Sequence, residues 1–169
     1  FFIGSNIMSY QKIWKLYLSG EIHTNWRDKI KNLCEKKKLP VNINSPNTKH
    51  EDSDDCGANI LGKEKEKFWH DHKGAAINSI RNTTLIGETD ILIVKFGDQY
   101  KQWNAAFDAG IAKALGKPII TLHENNLDHA LKEINQAAVA SCRTVNQVVQ
   151  ILSYVIDGTL ENNYIKIAE

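Results

Sequence analysis

Residues 90–122 constrain the fold of this chain more than any other stretch. They open with an apolar run rich in Ile and Val, which is typical of a parallel strand covered on both faces. A polar loop follows, and then an alanine-rich helical stretch at residues 103–115 that Gly116 and Pro118 bring to an end. A second apolar run closes the segment. This order predicts a right-handed βαβ unit whose helix is buried nearly all round.

One carboxylate, Asp108, stands in this otherwise apolar helix, where an acid is unfavourable unless something partners it or uses it. Asn104 shares its helix face, whereas Lys113 lies roughly 140° away and is a poor partner. In open α/β sheets, ligands bind beyond the carboxyl ends of the strands, where this helix starts. An anion in the first helical turn gains ~0.3–1 kcal/mol from the helix dipole, which favours the ionised form of a nucleophile. On geometry alone two interpretations stand: Asp108 is a nucleophile, or it bonds backbone amides or a neighbouring helix.

Composition favours one soluble globular domain and excludes several classes of protein. The chain has 169 residues, of which 42% are hydrophobic and 24% charged, as is ordinary for a globular domain. A formal net charge of +1 gives no footprint for nucleic acid or for a membrane surface. No apolar run reaches the ~18–20 residues that cross a bilayer, and the three cysteines lack metal or disulfide spacing. We therefore expect a cytoplasmic protein that binds no nucleic acid, membrane or metal.

The domain is predicted to span residues 8–158. Met8 is the only methionine, and residues 1–7 carry no signal-peptide pattern, so they are interpreted as an expression remnant or as disordered. Residues 159–169 follow Gly158 and are interpreted as a frayed C-terminal tail. No Gly-rich dinucleotide or P-loop segment occurs in the sequence, and we expect no cofactor.

Apolar patterns in the rest of the chain alternate between strand-like and helix-like. Strands are predicted at residues 15–19, 40–44, 90–94, 119–122 and, as a short edge strand, 139–141. Helices are predicted after the N-caps Thr24 and Thr144 and at residues 63–73, 75–87, 103–115 and 127–138. The polar and acidic residues 45–62 are interpreted as a long loop or lid. This order predicts a flavodoxin- or Rossmann-like three-layer α/β sandwich around a parallel sheet of about five strands.

Three segments carry a resemblance to a known family. They are LYLSGEIH at residues 16–23, INSIR at residues 77–81 and FGDQYKQWNAAFDAG at residues 96–110. Together with the GKP segment that follows, they make residues 15–156 resemble the bacterial YtoQ family, which is classed with the nucleoside 2-deoxyribosyltransferases. The resemblance implies an enzyme that acts on the N-glycosidic bond of a nucleoside or nucleotide. It also implies a homo-oligomer, a dimer or larger, in which a neighbouring subunit completes the site.

By this resemblance, Asp108 takes the place of the superfamily's nucleophile. The transferases carry a nucleophilic Glu in a pattern resembling E-x-G-x-A-x-x-x-G-K, and residues 108–117, DAGIAKALGK, match those spacings. The match implies attack on the anomeric carbon of the sugar as the base leaves, through a covalent glycosyl intermediate of the retaining type. Tyr17 takes the place of a tyrosine that positions the nucleophile.

The chain departs from the superfamily pattern at its acids. An acid six residues before the nucleophile is Gln102 here, and a further acid before the third strand is Asn82. Glutamine cannot transfer a proton in the same way, and Asp98 in the same loop is the candidate to replace it. Asp108 is also one methylene shorter than Glu, and small misplacements of a nucleophile cost orders of magnitude in rate.

Further residues are candidates for binding the substrate: Gly20, Glu21, His23, Asn78, Arg81, Trp103 and Asn104. Gly20 and Glu21 either line a ribose or phosphate pocket or form a turn and a helix start. Trp103 either stacks on a base or belongs to the core. Arg81 either binds a phosphate or carboxylate or pairs with the acidic loop. His70 and His72 do not share a helix face and are interpreted as surface residues.

Three functions are compatible with these patterns. We predict an enzyme that transfers the sugar of a nucleoside or nucleotide or hydrolyses its N-glycosidic bond. The alternative is a non-catalytic nucleotide- or metabolite-binding protein that keeps the pocket without the acids. A purely structural interaction module is the third.

Overall fold

A five-stranded parallel sheet forms the centre of the computed structural model, which describes residues 11–160. The strands are β1 (Trp14–Gly20), β2 (Val41–Asn44), β3 (Ile91–Lys95), β4 (Ile119–Leu122) and β5 (Ala140–Cys142). Their order in the sheet is β2-β1-β3-β4-β5, so the direction in which successive strands are added reverses between β1 and β3. This confirms the predicted flavodoxin-like architecture. Residues 1–7 and 161–169, interpreted as remnant and tail, lie outside the described residues.

Helices cover both faces of the sheet. They are α1 (Trp26–Lys36), α2 (His50–Leu61), α3 (Lys67–Glu88), α4 (Trp103–Ala114), α5 (Lys132–Ala137) and α6 (Val145–Asp157). A 3₁₀ turn at Asn125–Leu127 precedes α5. Among the helices of residues 11–160, none is long and apolar enough to cross a lipid bilayer.

Two apolar clusters fill the space between the sheet and its helices. One face of the sheet packs on α1 and α6, in a cluster that includes Leu16, Leu18 and Trp26. The opposite face packs on α3, α4 and α5, in a cluster that includes Tyr17 and Ala109. Successive residues of a strand point to opposite faces, and β1 follows this rule. Tyr17 therefore lies on the same side of the sheet as α4.

The interpretation of residues 45–62 as a loop or lid was wrong, because they contain α2. This helix crosses α3 where two glycines meet, and a Cβ added to Gly57 would lie 2.4 Å from the backbone N of Gly74. Asn78 on α3 also donates a hydrogen bond of 2.7 Å to the carbonyl of Ser53 on α2. Tertiary contact rather than local pattern stabilises α2, so the polar sequence did not indicate it.

Other helix boundaries also differ from the predictions. Residues 63–73 and 75–87, predicted as two helical stretches, belong to the single helix α3 from Lys67 onward. Residues 127–138 were predicted as one helix, but only α5 at their C-terminal end is α-helical. Gly74 separates the two predicted stretches but lies inside α3, where it packs against α2 and does not break the helix. Residues 127–138 contain no Gly or Pro that would mark the start of α5.

The two predicted N-caps had different outcomes. Thr144 is confirmed, since its hydroxyl accepts from the backbone N–H of Gln147 in a reciprocal capping box. The prediction of Thr24 as the N-cap of α1 was wrong, because the N-cap is Asn25, whose side chain makes no capping hydrogen bond. The Thr24 hydroxyl instead donates to a carboxylate oxygen of Glu21 at 2.6 Å.

The expectation that the helix after β3 is buried nearly all round was also wrong. On α4, Ala105 and Ala109 are buried against the sheet, whereas Trp103 is 71% exposed and Phe107 is 67% exposed. The small alanines let the helix approach the sheet closely, and the large apolar residues lie on its outer face. The outer face of α4 is therefore an exposed apolar surface beside the carboxyl end of the sheet.

We expect Gly57→Ala to lower the free energy of unfolding by about 1–3 kcal/mol, because its methyl group has to displace backbone atoms of α3. The matched control is Gly87→Ala in α3, where an added Cβ meets nothing within 4 Å. That change should instead stabilise the protein by about 0.5–1 kcal/mol, because alanine is the better helix former. Urea-induced unfolding measures both values. Equal effects of the two substitutions would contradict the close helix crossing.

Candidate functional site

A cleft of about 740 Å³ opens at the carboxyl end of the sheet, on the face covered by α3 and α4. Ser19 and Gly20 at the end of β1 line it, together with Asp108 from α4. Its walls come from α2, α3 and the loop between β3 and α4. The cleft lies beside the point where the sheet order reverses between β1 and β3, which is where open α/β sheets bind their ligands.

Asp108 is a buried carboxylate with one side-chain partner. It is only 6% exposed, and its Oδ2 accepts a hydrogen bond of 2.6 Å from the Ser19 hydroxyl. Within the described residues, Oδ1 accepts no hydrogen bond. The arrangement holds one oxygen of the carboxylate and leaves the other available to a ligand.

The expectation that the helix dipole favours ionised Asp108 was wrong. Helix α4 begins at Trp103, so Asp108 lies in the second turn, where the dipole effect has faded. Burial raises the pKa of Asp108, and the hydrogen bond from Ser19 offsets only part of that increase. Asp108 is therefore a stronger base than an exposed aspartate.

Tyr17 lies beneath this site and is fully buried in β1. Within the described residues, its hydroxyl has no hydrogen-bond partner. Burial raises the pKa of Tyr17 strongly, and the negative charge of Asp108 raises it further. The tyrosine is therefore neutral, and it interacts electrostatically with the carboxylate of Asp108. Tyr17 does not line the cleft itself, and it is placed to act on Asp108 rather than on a ligand.

Glu21 is a second buried carboxylate at the end of β1, with 3% of its surface exposed. Its Oε1 accepts from the backbone N–H groups of His23 and Thr24, the latter at 2.8 Å. Its Oε2 accepts from the Thr24 hydroxyl at 2.6 Å and from Lys95 Nζ at 3.2 Å. Burial raises the pKa of Glu21, but these hydrogen bonds together lower it below its ordinary value. Glu21 is therefore an ionised carboxylate whose two oxygens are both engaged.

The backbone around Glu21 is fixed by Gly20 and Arg27. Gly20 has a φ of +111°, and a Cβ there would lie 2.0 Å from the Lys95 carbonyl oxygen, so only glycine is compatible with this position. Arg27 donates hydrogen bonds to the carbonyls of Leu18, Gly20 and Glu21 at 3.1, 3.0 and 2.6 Å. The loop between β1 and α1 is thereby held in one conformation.

The residues that replace superfamily acids have other roles. Gln102 accepts from the Gly97 N–H at 3.2 Å and donates to the Gln99 carbonyl at 2.6 Å, so it orders the loop between β3 and α4. Asn82 lines the cleft, and its buried Oδ1 has no hydrogen-bond partner among the described residues. Asn82 therefore presents an unpaired acceptor in the wall of the cleft.

A smaller cleft of about 390 Å³ lies over the ends of β3 and β4 and shares Glu21 and His23 with the first. Asp98 lies in this smaller cleft, where its Oδ1 accepts a hydrogen bond of 2.8 Å from Asn126. Arg143 lies there too and donates to Asp128 at 2.7 Å. Glu21 and His23 thus form a common wall between the two clefts.

Most of the predicted site residues line the larger cleft: Gly20, Glu21, His23, Asn78, Trp103, Asn104 and Asp108. The His23 ring lies 4.9 Å from the ring of Tyr100, and both face this cleft. Arg81 does not line it, because its guanidinium donates to the Ser45 carbonyl at 2.8 Å. The structure thus separates Arg81, Asp98 and Tyr17 from the residues that can touch a ligand in this cleft.

Sequence reasoning missed two parts of this site. Ser19 is the partner of Asp108, and its signal was a polar residue at the buried end of an apolar strand. The second missed part is the wall of the cleft that α2 forms, which includes Ser53 and Asp54. It was missed because the sequence did not predict α2. Across the described residues, no group of three or more His, Cys, Asp or Glu side chains is arranged to hold a metal ion. His70 instead lies 2.9 Å from Asp55 in a pair between α3 and α2.

Comparison with known proteins gives matches over most of the chain. Residues 17–156 match the family described as nucleoside 2-deoxyribosyltransferase YtoQ. The uncharacterized protein YtoQ of Bacillus subtilis (strain 168) is 41% identical over 142 residues, which cover 84% of this chain and 96% of that protein.

Two solved structures are similar as well. A conserved protein from Enterococcus faecalis V583 superposes with a TM-score of 0.57 at 10% identity, covering 85% of this chain and 99% of its own. A 2-deoxyribosyltransferase from Bacillus psychrosaccharolyticus superposes with a TM-score of 0.49 at 19% identity, covering 80% of this chain and 90% of its own. At these identities the first structure shows a likeness of fold alone, and no conclusion about this chain rests on the second.

We expect Asp108→Asn to raise the free energy of unfolding at pH 7. Because burial raises the pKa of Asp108, the folded protein holds its proton more tightly than the unfolded chain, so stability falls as pH rises from the ordinary carboxyl pKa to the raised one. Asparagine still accepts from Ser19 and carries no charge. Each kcal/mol gained in the free energy of unfolding corresponds to an increase of ~2–4 °C in melting temperature for a chain of this size.

The measurement is urea-induced unfolding of both proteins between pH 4 and pH 8. Asp52→Asn serves as control, because that carboxylate lies on the surface of α2 with 62% of its side chain exposed. It should change stability by no more than ~0.5 kcal/mol. A loss of stability in Asp108→Asn at pH 7 would contradict a desolvated carboxylate.

Proposed function

The chain belongs to the nucleoside 2-deoxyribosyltransferase YtoQ family, and on that basis we propose that it is a cytoplasmic enzyme that cleaves or exchanges the N-glycosidic bond of a nucleoside or nucleotide. Asp108 is the nucleophile of this proposal. The observation that carries it is a buried carboxylate in the main cleft, held by Ser19 through one oxygen only. Such a group is costly to bury, and a reaction that uses it accounts for its presence.

The proposed reaction runs in two displacements at the anomeric carbon of the sugar. The free oxygen of Asp108 attacks this carbon, the bond from carbon to the base nitrogen breaks, and its electron pair leaves with the base. Water or a second base then attacks the same carbon and releases Asp108. Each displacement inverts the carbon, so the product retains the configuration of the substrate.

Burial prepares Asp108 for this attack. A carboxylate in a cleft with few solvent contacts has a raised pKa and is more reactive than a hydrated one. The Ser19 hydroxyl fixes the orientation of the carboxylate, and its hydrogen bond favours the ionised form, which offsets part of the increase in pKa that burial causes. Tyr17 lies near enough for the charge of Asp108 to raise the pKa of its hydroxyl, and this hydroxyl makes no hydrogen bond to Asp108 or to any other described residue.

The leaving base needs a proton, and Asp98 was the candidate that the sequence offered for its delivery. Asp98 lies in the smaller cleft, on the side of the common wall away from Asp108, so we propose that water in the open main cleft supplies the proton and that Asp98 makes no direct transfer to the base. His23 and Tyr100 form an aromatic pair in the main cleft on which the base can stack. Asn78, Trp103 and Asn104 line the same cleft and complete the proposed substrate contacts, with Gly20 at its floor.

A second candidate function is binding of a nucleotide or metabolite without catalysis. One observation favours it: Gln102, in the place of a superfamily acid, is engaged with the backbone of its own loop and offers no proton. The same assay separates the two functions.

We further propose that the protein is a homo-oligomer, a dimer or larger, that covers the outer face of α4. Trp103 and Phe107 on this face are 71% and 67% exposed, and both also line the main cleft. Ile80 on the adjacent α3 is 72% exposed. Exposed apolar residues next to a ligand cleft are typical of a surface that another subunit covers.

The test of the enzyme proposal incubates the protein with deoxyribonucleosides, ribonucleosides and their monophosphates, with and without a free acceptor base. Chromatography measures release or exchange of the base. Asp108→Ala should lower the rate by about 10³-fold or more, because it removes the nucleophile, and mass spectrometry of the wild-type protein should detect the glycosyl adduct. Asp52→Ala, which removes an exposed carboxylate, should keep full activity. Binding without turnover, unchanged in Asp108→Ala, would favour the second candidate.

The test of the oligomer uses Phe107→Glu and sedimentation velocity. A charge at the centre of a covered apolar face should dissociate the assembly into monomers whose circular dichroism is unchanged. Tyr154→Glu is the control, since this residue of α6 is 56% exposed on the opposite face of the sheet. Wild-type protein that sediments as a monomer at 100 µM would refute the proposal.

A further inference from the structure

The carboxylate of Glu21 occupies a set of donors that could hold a phosphate group. It receives hydrogen bonds from two successive backbone amides, a threonine hydroxyl and a lysine ammonium group, contributed by His23, Thr24 and Lys95. The amides belong to the loop between β1 and the start of α1. A loop of this kind, at the carboxyl end of a parallel strand and before a helix, is a common receiving site for anions in α/β proteins.

Glu21 occupies this donor set, which retains one N–H of the Lys95 ammonium group. Its carboxylate is 3% exposed, and each of its two oxygens accepts two hydrogen bonds. Gly97 is shaped to the same side chain, because a Cβ there would lie 2.9 Å from Glu21 Cγ. The glutamate is thus packed in place, and it brings its own negative charge into the anion site.

The rest of the main cleft offers a phosphate little compensation. Asp54, Asp71 and Asp108 line it with Glu21. Of the described residues, two lysines line this cleft. Lys67 pairs with Asp71 at 3.0 Å, and Lys101 Nζ lies 5.7 Å from the centre of the Trp103 ring. A dianionic phosphate in this cleft would meet more negative than positive charge.

We propose that Glu21 is an internal anion that fills the phosphate-receiving position of the loop between β1 and α1, so that the enzyme accepts uncharged nucleosides and rejects nucleoside 5′-phosphates. This inference rests on the proposed function and narrows its substrate class. It also assigns Glu21 a positioning and selecting role in place of direct contact with the sugar. The glutamate takes the hydrogen bonds that a substrate phosphate would otherwise receive.

The first test compares substrates on the wild-type protein. The value of kcat/KM for a deoxyribonucleoside should exceed that for its 5′-monophosphate by at least about 100-fold, because placing like charges together is costly. Glu21→Gln, which keeps the shape and removes the charge, should reduce this ratio by about tenfold or more. Values of kcat/KM within tenfold of each other in the wild-type protein would overturn the inference.

The second test does not depend on turnover. Glu21→Ser empties the donor set, and inorganic phosphate titrated against the ¹⁵N-labelled variant should shift the amide signals of His23 and Thr24 with saturation. The wild-type protein should give no such shifts. Asp71→Ser is the matched control, because it removes one negative charge from the cleft and leaves the donor set filled, and it should also give none.

The two tests separate the inference from the proposed function. Absence of turnover with every substrate would refute the proposed function, and the phosphate titration would still decide whether Glu21 fills an anion site. Saturable shifts in wild-type protein, or none in Glu21→Ser with a circular dichroism spectrum like that of the wild type, would overturn the inference. Should Glu21→Ser fail to fold, the substrate ratios of wild type and Glu21→Gln decide the question.

Discussion

The bond between Glu21 and Lys95 joins the ends of the two central strands, and the carboxyl end of the sheet is organised around it. Lys95 closes β3, and Glu21 follows β1 directly. The same carboxylate orders the loop before α1 through its amides, and Gly20 lets that loop approach β3 at backbone distance. The wall between the two clefts follows from this one ionic contact. Because both partners are largely buried, removing either would leave the other charge without its counterion.

Burying the carboxylate of Asp108 lowers the stability of the protein, whereas the proposed reaction requires that carboxylate. Its neighbours on the inner face of α4 are alanines, which give tight packing and no hydrogen bonds to a carboxylate. Ser19 supplies the one donor. A fold optimised for stability alone would have an apolar or amide side chain at this position. The proposed nucleophile is therefore a residue whose burial stability alone does not explain.

Much of the fold was predictable because it depends on local pattern. The apolar runs of β1, β3 and β4 and the Gly–Lys–Pro break after α4 were sufficient for a parallel α/β sheet with about five strands. Helix α2 was not predictable, since its stabilisation comes from contact with α3 rather than from its own acidic sequence. The exposure of Trp103 was missed for a similar reason, because an apolar composition identifies a helix but does not show which of its sides faces the sheet.

In the candidate site too, features that depend on local sequence were predictable, and features that depend on contacts between distant residues were not. The position of Asp108 in the cleft was predictable from its spacing in the helix and from the family pattern. Its protonation behaviour was not, since the pKa depends on burial and on a partner 89 residues away in the sequence. Glu21 likewise looked like a residue free to bind a sugar. Its engagement with Lys95 arises from strand neighbours that are 74 residues apart in the chain.

The crossing of α2 and α3 at Gly57 and Gly74 also bears on how a ligand enters. Two helices whose backbones touch cannot slide or open against each other without losing that contact, so the pair behaves as one rigid plate over the main cleft. Movement of the plate then has to come from the segments that connect it to β2 and β3. Arg81 crosses one of these connections and ties α3 to the carbonyl of Ser45. The position of the α2–α3 pair over the main cleft therefore depends on these connecting segments and on the hydrogen bond from Arg81 to Ser45.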